Sequence, residues 1–139
     1  MGVDFGEKRI GLAVSDPSNT LATPLETLAR RAGKRPPLKR ISEIAKELDV
    51  GQVVFGLPVG LDGTEDDWCA DVRAVGVSLG ERLDIPVAFV DERMTSVRAE
   101  RAVRSIGLKK GEREKKGRID AAAAQLILQA WLDNPEIAR

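Results

Sequence analysis

Apolar residues recur along this chain with two periods, and the changes of period mark out its elements. Gly2-Val3-Asp4-Phe5-Gly6 reads as a short strand running into a turn, and Arg9-Ile10-Gly11-Leu12-Ala13-Val14-Ser15 as a second strand, which predicts a hairpin. The first strand is short, and its natural start is expected a few residues upstream. Leu21 to Ala29 predicts a third strand, and Pro24, which lacks an N–H for the ladder, places that strand at a sheet edge. Pro36-Pro37 opens a helix on which Leu38, Ile41, Ile44, Ala45 and Leu48 form one buried stripe. Val50 to Leu57 is an almost unbroken apolar run ending at Pro58, the pattern of a strand buried on both faces. Asp62-Gly63 predicts a turn, and Thr64 with Asp67 three residues on predicts the capped start of a helix reaching Leu83. Ile85 to Val90 is a further short strand. Thr95 or Ser96 then caps a helix through Ile106, residues 107–117 read as a lysine-rich loop, and a last helix runs from Asp120 to Leu132. That helix buries Ala123, Leu126, Ile127, Ala130 and Trp131; Trp68 and Trp131 both fall in apolar stripes and read as core.

An early antiparallel meander followed by β-α-β crossovers predicts an α/β fold: a mixed sheet with helices on both faces. No repeat and no linker divides the chain, so residues 1–139 are expected to form one domain. Ligands in such sheets sit beyond the carboxyl ends of the strands.

Composition sharpens the picture chiefly by what is missing. The chain holds 42% hydrophobic and 32% charged residues, the mix of a globular protein. No apolar run is long enough to cross a bilayer, and the sequence opens on strand-like residues rather than a signal peptide, so a cytoplasmic protein without a membrane partner is expected. The lone cysteine, Cys69, excludes an internal disulfide and a cysteine-cluster zinc site. There is no histidine, which excludes Ser-His-Asp hydrolases, Cys-His proteases and histidine-ligated metal sites, and there is no tyrosine. Acid, base or metal chemistry must therefore come from Asp and Glu, with Lys and Arg as electrostatic partners.

Net charge is zero, yet the charges are unevenly placed. Arg30 to Lys46 carries seven basic residues against one acid, and Arg98 to Arg118 nine against three, while Asp62 to Asp71 is acidic. Two solvated helix faces account for the basic blocks; a polyanion-binding face accounts for them too, with Lys109, Lys110, Lys115 and Lys116 as its phosphate contacts.

Three acidic positions come from elements that can converge on one edge of the sheet. Asp4 lies near the end of the first strand, Asp91-Glu92 follows the strand ending at Val90, and Asp120 opens the last helix. Clustered carboxylates repel unless cations hold them together, and hard oxygen donors suit Mg²⁺ or Mn²⁺. Two such ions about 4 Å apart would activate a water and stabilise the leaving oxygen of a phosphodiester. Each residue also has a plainer reading. Asp4 suits a turn, Asp120 a helix cap, and Arg9 and Arg93 suit structural ion pairs as well as phosphate contacts. Asp91 and Glu92 point to opposite sides if the strand continues, so only one joins a cluster while the other pairs with Arg93 or a neighbouring backbone. Gly56-Leu57-Pro58 fits backbone geometry at a strand end.

Four segments resemble one family. They are Asp4-Phe5-Gly6-Glu7-Lys8-Arg9-Ile10-Gly11-Leu12-Ala13; Gly56-Leu57-Pro58 with Asp62-Gly63-Thr64; Asp91-Glu92-Arg93-Met94-Thr95-Ser96; and Ile119-Asp120-Ala121-Ala122-Ala123-Ala124 leading into Ile127-Leu128-Gln129. In this order, over nearly the whole chain, they resemble the YqgF/RuvX family. The resemblance implies a ribonuclease H-like fold and a nuclease maturing the 5′ end of the 16S ribosomal RNA precursor; resolution of Holliday junctions is the second activity it implies. Position by position, Asp4, Glu92 and Asp120 match the family's catalytic acids. The partner so implied is structured RNA or a DNA junction, and the state a monomer or a homodimer, since paired cleavage of a two-fold junction needs two sites. Two readings from other classes remain: a sugar-kinase or actin-like ATPase, whose nucleotide cleft needs two such domains, and a non-catalytic RNA- or ribosome-binding module.

Overall fold

The computed structural model describes residues 1–30, 34–97 and 113–139, the side chains of 113–119 excepted. Five strands form a single mixed sheet in the order β3-β2-β1-β4-β5, with β1 at Gly2–Phe5, β2 at Arg9–Ser15, β3 at Ala22–Ala29, β4 at Val53–Leu57 and β5 at Val87–Asp91. β1, β2 and β3 pair antiparallel, whereas β4 lies parallel to β1 and β5 parallel to β4, the meander-plus-crossover arrangement that the pattern predicts. β3 is an edge strand, and Pro24 sits opposite Ala13 beside a register shift at Leu12/Ala13, where its missing N–H breaks no regular ladder.

The helices are α1 (Leu38–Glu47), α2 (Asp67–Leu83) and α3 (Arg113–Asp133). Because side chains alternate across each strand, the two faces of the sheet have different cores. Val3, Phe5, Ile10, Leu12, Val53, Phe55 and Leu57 point to the α1/α2 side, where they meet Ile41, Ile44, Cys69, Val72 and Leu79. Ala13, Val54 and Val90 point the other way and meet Ala123, Ala124, Ile127 and Leu128 of α3. Trp68 and Trp131 are half-buried, each packed on the rim of one core. No helix among the described residues is long and apolar enough to cross a membrane.

Several boundaries differ from the sequence reading, each for a local reason. Leu48 does not join the α1 stripe: it is the C-cap and is 44% exposed. Asp66, not Thr64, caps α2, accepting from the Cys69 N–H, while Thr64 is drawn into the preceding turn by the Asp62 carboxylate. The largest difference is at α3, which begins at Arg113 rather than near Asp120, so residues 113–117 are helical and not loop. Arg, Glu and Lys are good helix formers, and a single Gly117 costs only about 1 kcal/mol against alanine; without an apolar stripe this first stretch carries no periodic signal. Asp120 is therefore an internal residue of α3, and the helix-cap reading of it is overturned. The helix expected through Ile106, together with Lys109 and Lys110, lies outside the described residues, as do the side chains of Lys115 and Lys116.

Candidate active site

The α3 face of the sheet carries a row of small residues with an acid in the middle. Asp4 pairs across β1/β2 with Gly11, and the parallel register Gly2↔Val54, Val3↔Phe55 sets Gly56 next to Asp4 on its other side. With glycine at the flanking positions of β2 and β4, neither neighbouring strand places a side chain beside Asp4 on that face of the sheet. Other groups use that space. A Cβ at Gly11 would overlap the backbone carbonyl of Asp120, and one at Gly56 would lie 2.5 Å from Ile127 Cδ1 and 3.2 Å from Glu92 Oε1. The two glycines thus let α3 and Glu92 come down on either side of Asp4, the close approach that glycine inside a strand permits.

Asp4 and Glu92 are 5% and 3% exposed, a degree of burial rare for carboxyl groups. Both engage other groups of the protein. Phe5, on the far side of β1 from Asp4, is held between Trp68 (5.7 Å between ring centroids) and the Arg30 guanidinium (4.6 Å), which fixes the strand end. Asp120 is placed by α3, and α3 by two glutamines reading the start of β3. Gln125 Nε2 donates to Ala22 O, Gln129 Oε1 accepts from the Ala22 N–H, and Gln129 Nε2 donates to Thr20 O.

Asp91 and Glu92 do divide between the two sides. Asp91 is the last residue of β5 and lies with the α2 side, while Glu92 opens a 3₁₀ turn (Glu92–Met94) and reaches the Gly56 surface. Arg93 donates to Asp91 through Nε (2.9 Å) and Nη2 (2.6 Å), its backbone N–H adds a 2.8 Å bond, and Arg139 Nη1 stands 3.1 Å away. Arg139 also reaches Glu65 (3.3 Å), which Arg73 grips through two nitrogens, and Gly63 O. Burial alone would push the Asp91 carboxyl up, but the Arg93 hydrogen bonds and the two guanidinium charges outweigh it and hold it below the usual carboxylate range. Arg93 is thereby occupied with Asp91, and its Nη1 contacts Leu61 O in the loop whose turn needs Gly63 at φ +85°.

Arg9 stands at the start of β2, two residues from Gly11 and so on the same face, and its Nε donates to Asp120 Oδ2 at 2.8 Å. The donors gathered here are carboxylate oxygens only, the set that suits a hard divalent cation. Asp4 and Glu92 fit such an ion as buried neighbours. As the side chains stand, no three acids among the described residues close on one ion, and Asp120 is paired with Arg9. The sequence reading named the three acids and Gly56 as backbone geometry at a strand end, but not Gly11, Gln125 or Gln129, nor the close approaches that the two glycines allow. An isolated glycine within each strand pattern was the available signal for those approaches.

The sheet order and the helices on both faces define a ribonuclease H-like fold. The same fold is seen in Thermus thermophilus RuvC solved in complex with a Holliday junction substrate, which superposes with a TM-score of 0.57 over 99% of this chain and 96% of that one at 17% identity. More specifically, residues 1–134 match the family described as "RuvX: Holliday junction resolvase", and the chain belongs to that family. Among its relatives, a Mycobacteroides abscessus protein named "Putative pre-16S rRNA nuclease" is 42% identical over 134 residues, 96% of this chain and 80% of that protein. One of the same name from Maridesulfovibrio salexigens is 38% identical over 132 residues, 95% of this chain and 96% of that one.

Proposed function

We propose that this chain is a metal-dependent nuclease that hydrolyses phosphodiester bonds at the 5′ end of the 16S ribosomal RNA precursor, in the cytoplasm, as one domain acting as a monomer or homodimer. The observation that carries this reading is the burial of two carboxyls at one glycine-rich face of the sheet: Asp4 lies between Gly11 and Gly56, and Glu92 Oε1 approaches Gly56. Family membership and the names of the relatives support the choice of reaction and substrate.

Asp4, Glu92 and Asp120 are assigned as the ligands of Mg²⁺ or Mn²⁺, two ions in the full site. Held by these residues, such ions would supply an activated water and offset charge on the leaving oxygen. Hydrolysis would join the water oxygen to phosphorus, break the bond from phosphorus to the leaving oxygen, and pass a proton, overall, from the water to that leaving oxygen. This chain's own part is to hold those charges in a fixed, largely dry place: the wall of α3 at Ile127 excludes solvent behind Glu92, and the anchored Phe5 keeps Asp4 from shifting. Arg9 at the rim and Lys109, Lys110, Lys115 and Lys116 are assigned to phosphate oxygens of the substrate. Arg93, paired with Asp91, is assigned to holding the Glu92 turn in place.

The test is to incubate the purified protein with precursor 16S RNA and with a synthetic four-way DNA junction, with Mn²⁺ and with chelator. Cleavage of the RNA near its mature 5′ end, with Mn²⁺ only, is expected. Cleavage of the junction alone would establish the DNA reading that the family description favours. Binding of RNA without cleavage of either would reduce the chain to a binding module, and full cleavage in excess chelator would end the metal mechanism.

A further inference from the structure

Asp120, assigned above to the metal, is already paired with a cation. Arg9 Nε lies 2.8 Å from Asp120 Oδ2, with the two side chains 36% and 20% exposed. As placed, no three acids among the described residues close on one ion. Nor can the helix bring Asp120 closer, because its backbone carbonyl is already seated on Gly11 and the Gln125 and Gln129 bonds pin α3 to the start of β3. What remains is rotation of the Asp120 side chain, and that rotation breaks the bond to Arg9.

We propose that Arg9 is an exchangeable counter-ion: it neutralises Asp120 until a divalent metal takes that carboxylate, and the guanidinium so released meets a phosphate of the substrate. The inference rests on the metal-dependent reading above and adds a coupling to it. Without the metal, the charge of Asp120 is offset by Arg9. With metal bound, the positive charge of Arg9 becomes free at the rim on the same face of the sheet, where its planar fork suits a phosphate. By linkage, metal and nucleic acid then tighten each other's binding, each to the same extent. Arg9 is in this sense a positioning residue for the metal site and a binding residue for the substrate.

The test uses the whole chain and reads binding, not turnover. Free Mn²⁺ is followed by electron paramagnetic resonance as it titrates wild type and Arg9→Gln. Removing a competitor of partly exposed-pair strength is expected to tighten Mn²⁺ binding about two- to fivefold in the variant. Weaker or unchanged binding by folded Arg9→Gln would overturn the proposal, since a guanidinium that merely supports the ligand loses affinity when removed. A measurement on wild type needs no variant at all. The Arg9 Nε–H resonance should shift in step with Mg²⁺ saturation, and a resonance that stays still while Mg²⁺ binds would equally overturn it. An RNA hairpin with phosphorothioate linkages completes the cycle: Mn²⁺ should raise its affinity for wild type and raise it less for Arg9→Gln, and an equal gain in both would refute the release of Arg9 to phosphate. Wild type that binds no Mn²⁺ would bring down the functional reading itself, a result distinct from all of these.

Discussion

The two faces of the sheet are built from the same strands and from opposite kinds of residue. Toward α1 and α2, β1, β2 and β4 present Val3, Phe5, Ile10, Leu12, Phe55 and Leu57, a continuous layer of large side chains. Toward α3 the alternate positions of those strands are Gly2, Asp4, Gly11, Ala13, Val54 and Gly56. The first face gains the apolar burial that stabilises a domain of this size. The second gives up part of that gain: glycines replace side chains, and two carboxyls are buried beside them. α3 can lie close to the sheet only because it rests on those glycines, and its closeness is what seats the Asp120 backbone on Gly11, the cross-strand partner of Asp4. On the proposed reading, stability and chemistry are thus separated by the alternation of single residues, and substitutions one position apart should have opposite consequences.

The largest contrast is expected between Asp4 and its neighbour Phe5. Asp4→Asn and Glu92→Gln keep the shape of the side chains and remove their charge, so nuclease activity should fall by orders of magnitude while the melting temperature holds or rises as carboxylate repulsion is relieved. Phe5→Ala should do the reverse in its primary effect, lowering stability by about 3–5 kcal/mol in denaturant titrations through the cavity left beside Trp68 and Arg30. Loss of stability in Asp4→Asn equal to that of Phe5→Ala would mean that the acid is structural. A second contrast is Gly11→Ala against Leu12→Ala. The alanine methyl at Gly11 meets a backbone carbonyl of α3, which cannot yield as a flexible side chain would. Gly11→Ala should cost about 1–3 kcal/mol by overpacking and also weaken Mn²⁺ binding, because it lifts Asp120 away from Asp4. Leu12→Ala should cost about 2–5 kcal/mol and leave Mn²⁺ binding close to that of wild type.

This division also explains which parts of the molecule the sequence disclosed. The large-residue face advertises itself: Val53–Leu57 reads as a buried strand, and Ile41, Ile44 and Ala45 read as a helix stripe, because apolar periodicity is the strongest local signal. The α3 face is written in glycine, alanine and acids, whose meaning depends on what lies above them in space. Asp4, Glu92 and Asp120 could be singled out as acids near strand and helix ends, and the resemblance to a family ranked them. Their spacing could not be read, since Gly11 matters through the Asp120 carbonyl, more than a hundred positions away. The start of α3 was illegible for the opposite reason: Arg113 to Arg118 is helical without an apolar stripe, so it looks like loop. Asp91 was legible in part. Alternation along the strand separated it from Glu92 and suggested Arg93 as its partner, but Arg139 could not be foreseen.

The smallest expected effect concerns that adjacent acid and sharpens the same comparison by pH. Asp91 lies on the stabilising side of the strand end, against Arg93 and Arg139, and its carboxyl is held below the usual range by hydrogen bonds and charges that exist only in the folded chain. A carboxyl with a depressed folded-state pKa binds its proton more readily when unfolded. Its contribution is therefore fully present above the unfolded-state value and is lost as the pH falls through the folded-state one. The pairs are partly open to solvent, so the contribution is modest, of the order of 1 kcal/mol after screening. Asp91→Asn should consequently lower stability slightly at neutral pH, and its deficit relative to wild type should shrink as the pH drops below the ordinary carboxylate range. Urea titrations of the two proteins at neutral pH and under acid conditions would measure that closing gap. Raised salt should narrow it at neutral pH as well, since the exposed part of the ion-pair chain is screened. A deficit that stays constant with pH would mean that Asp91 works through its neutral hydrogen bonds to the Arg93 backbone, and that the charge on Arg139 is incidental to holding the Glu92 turn.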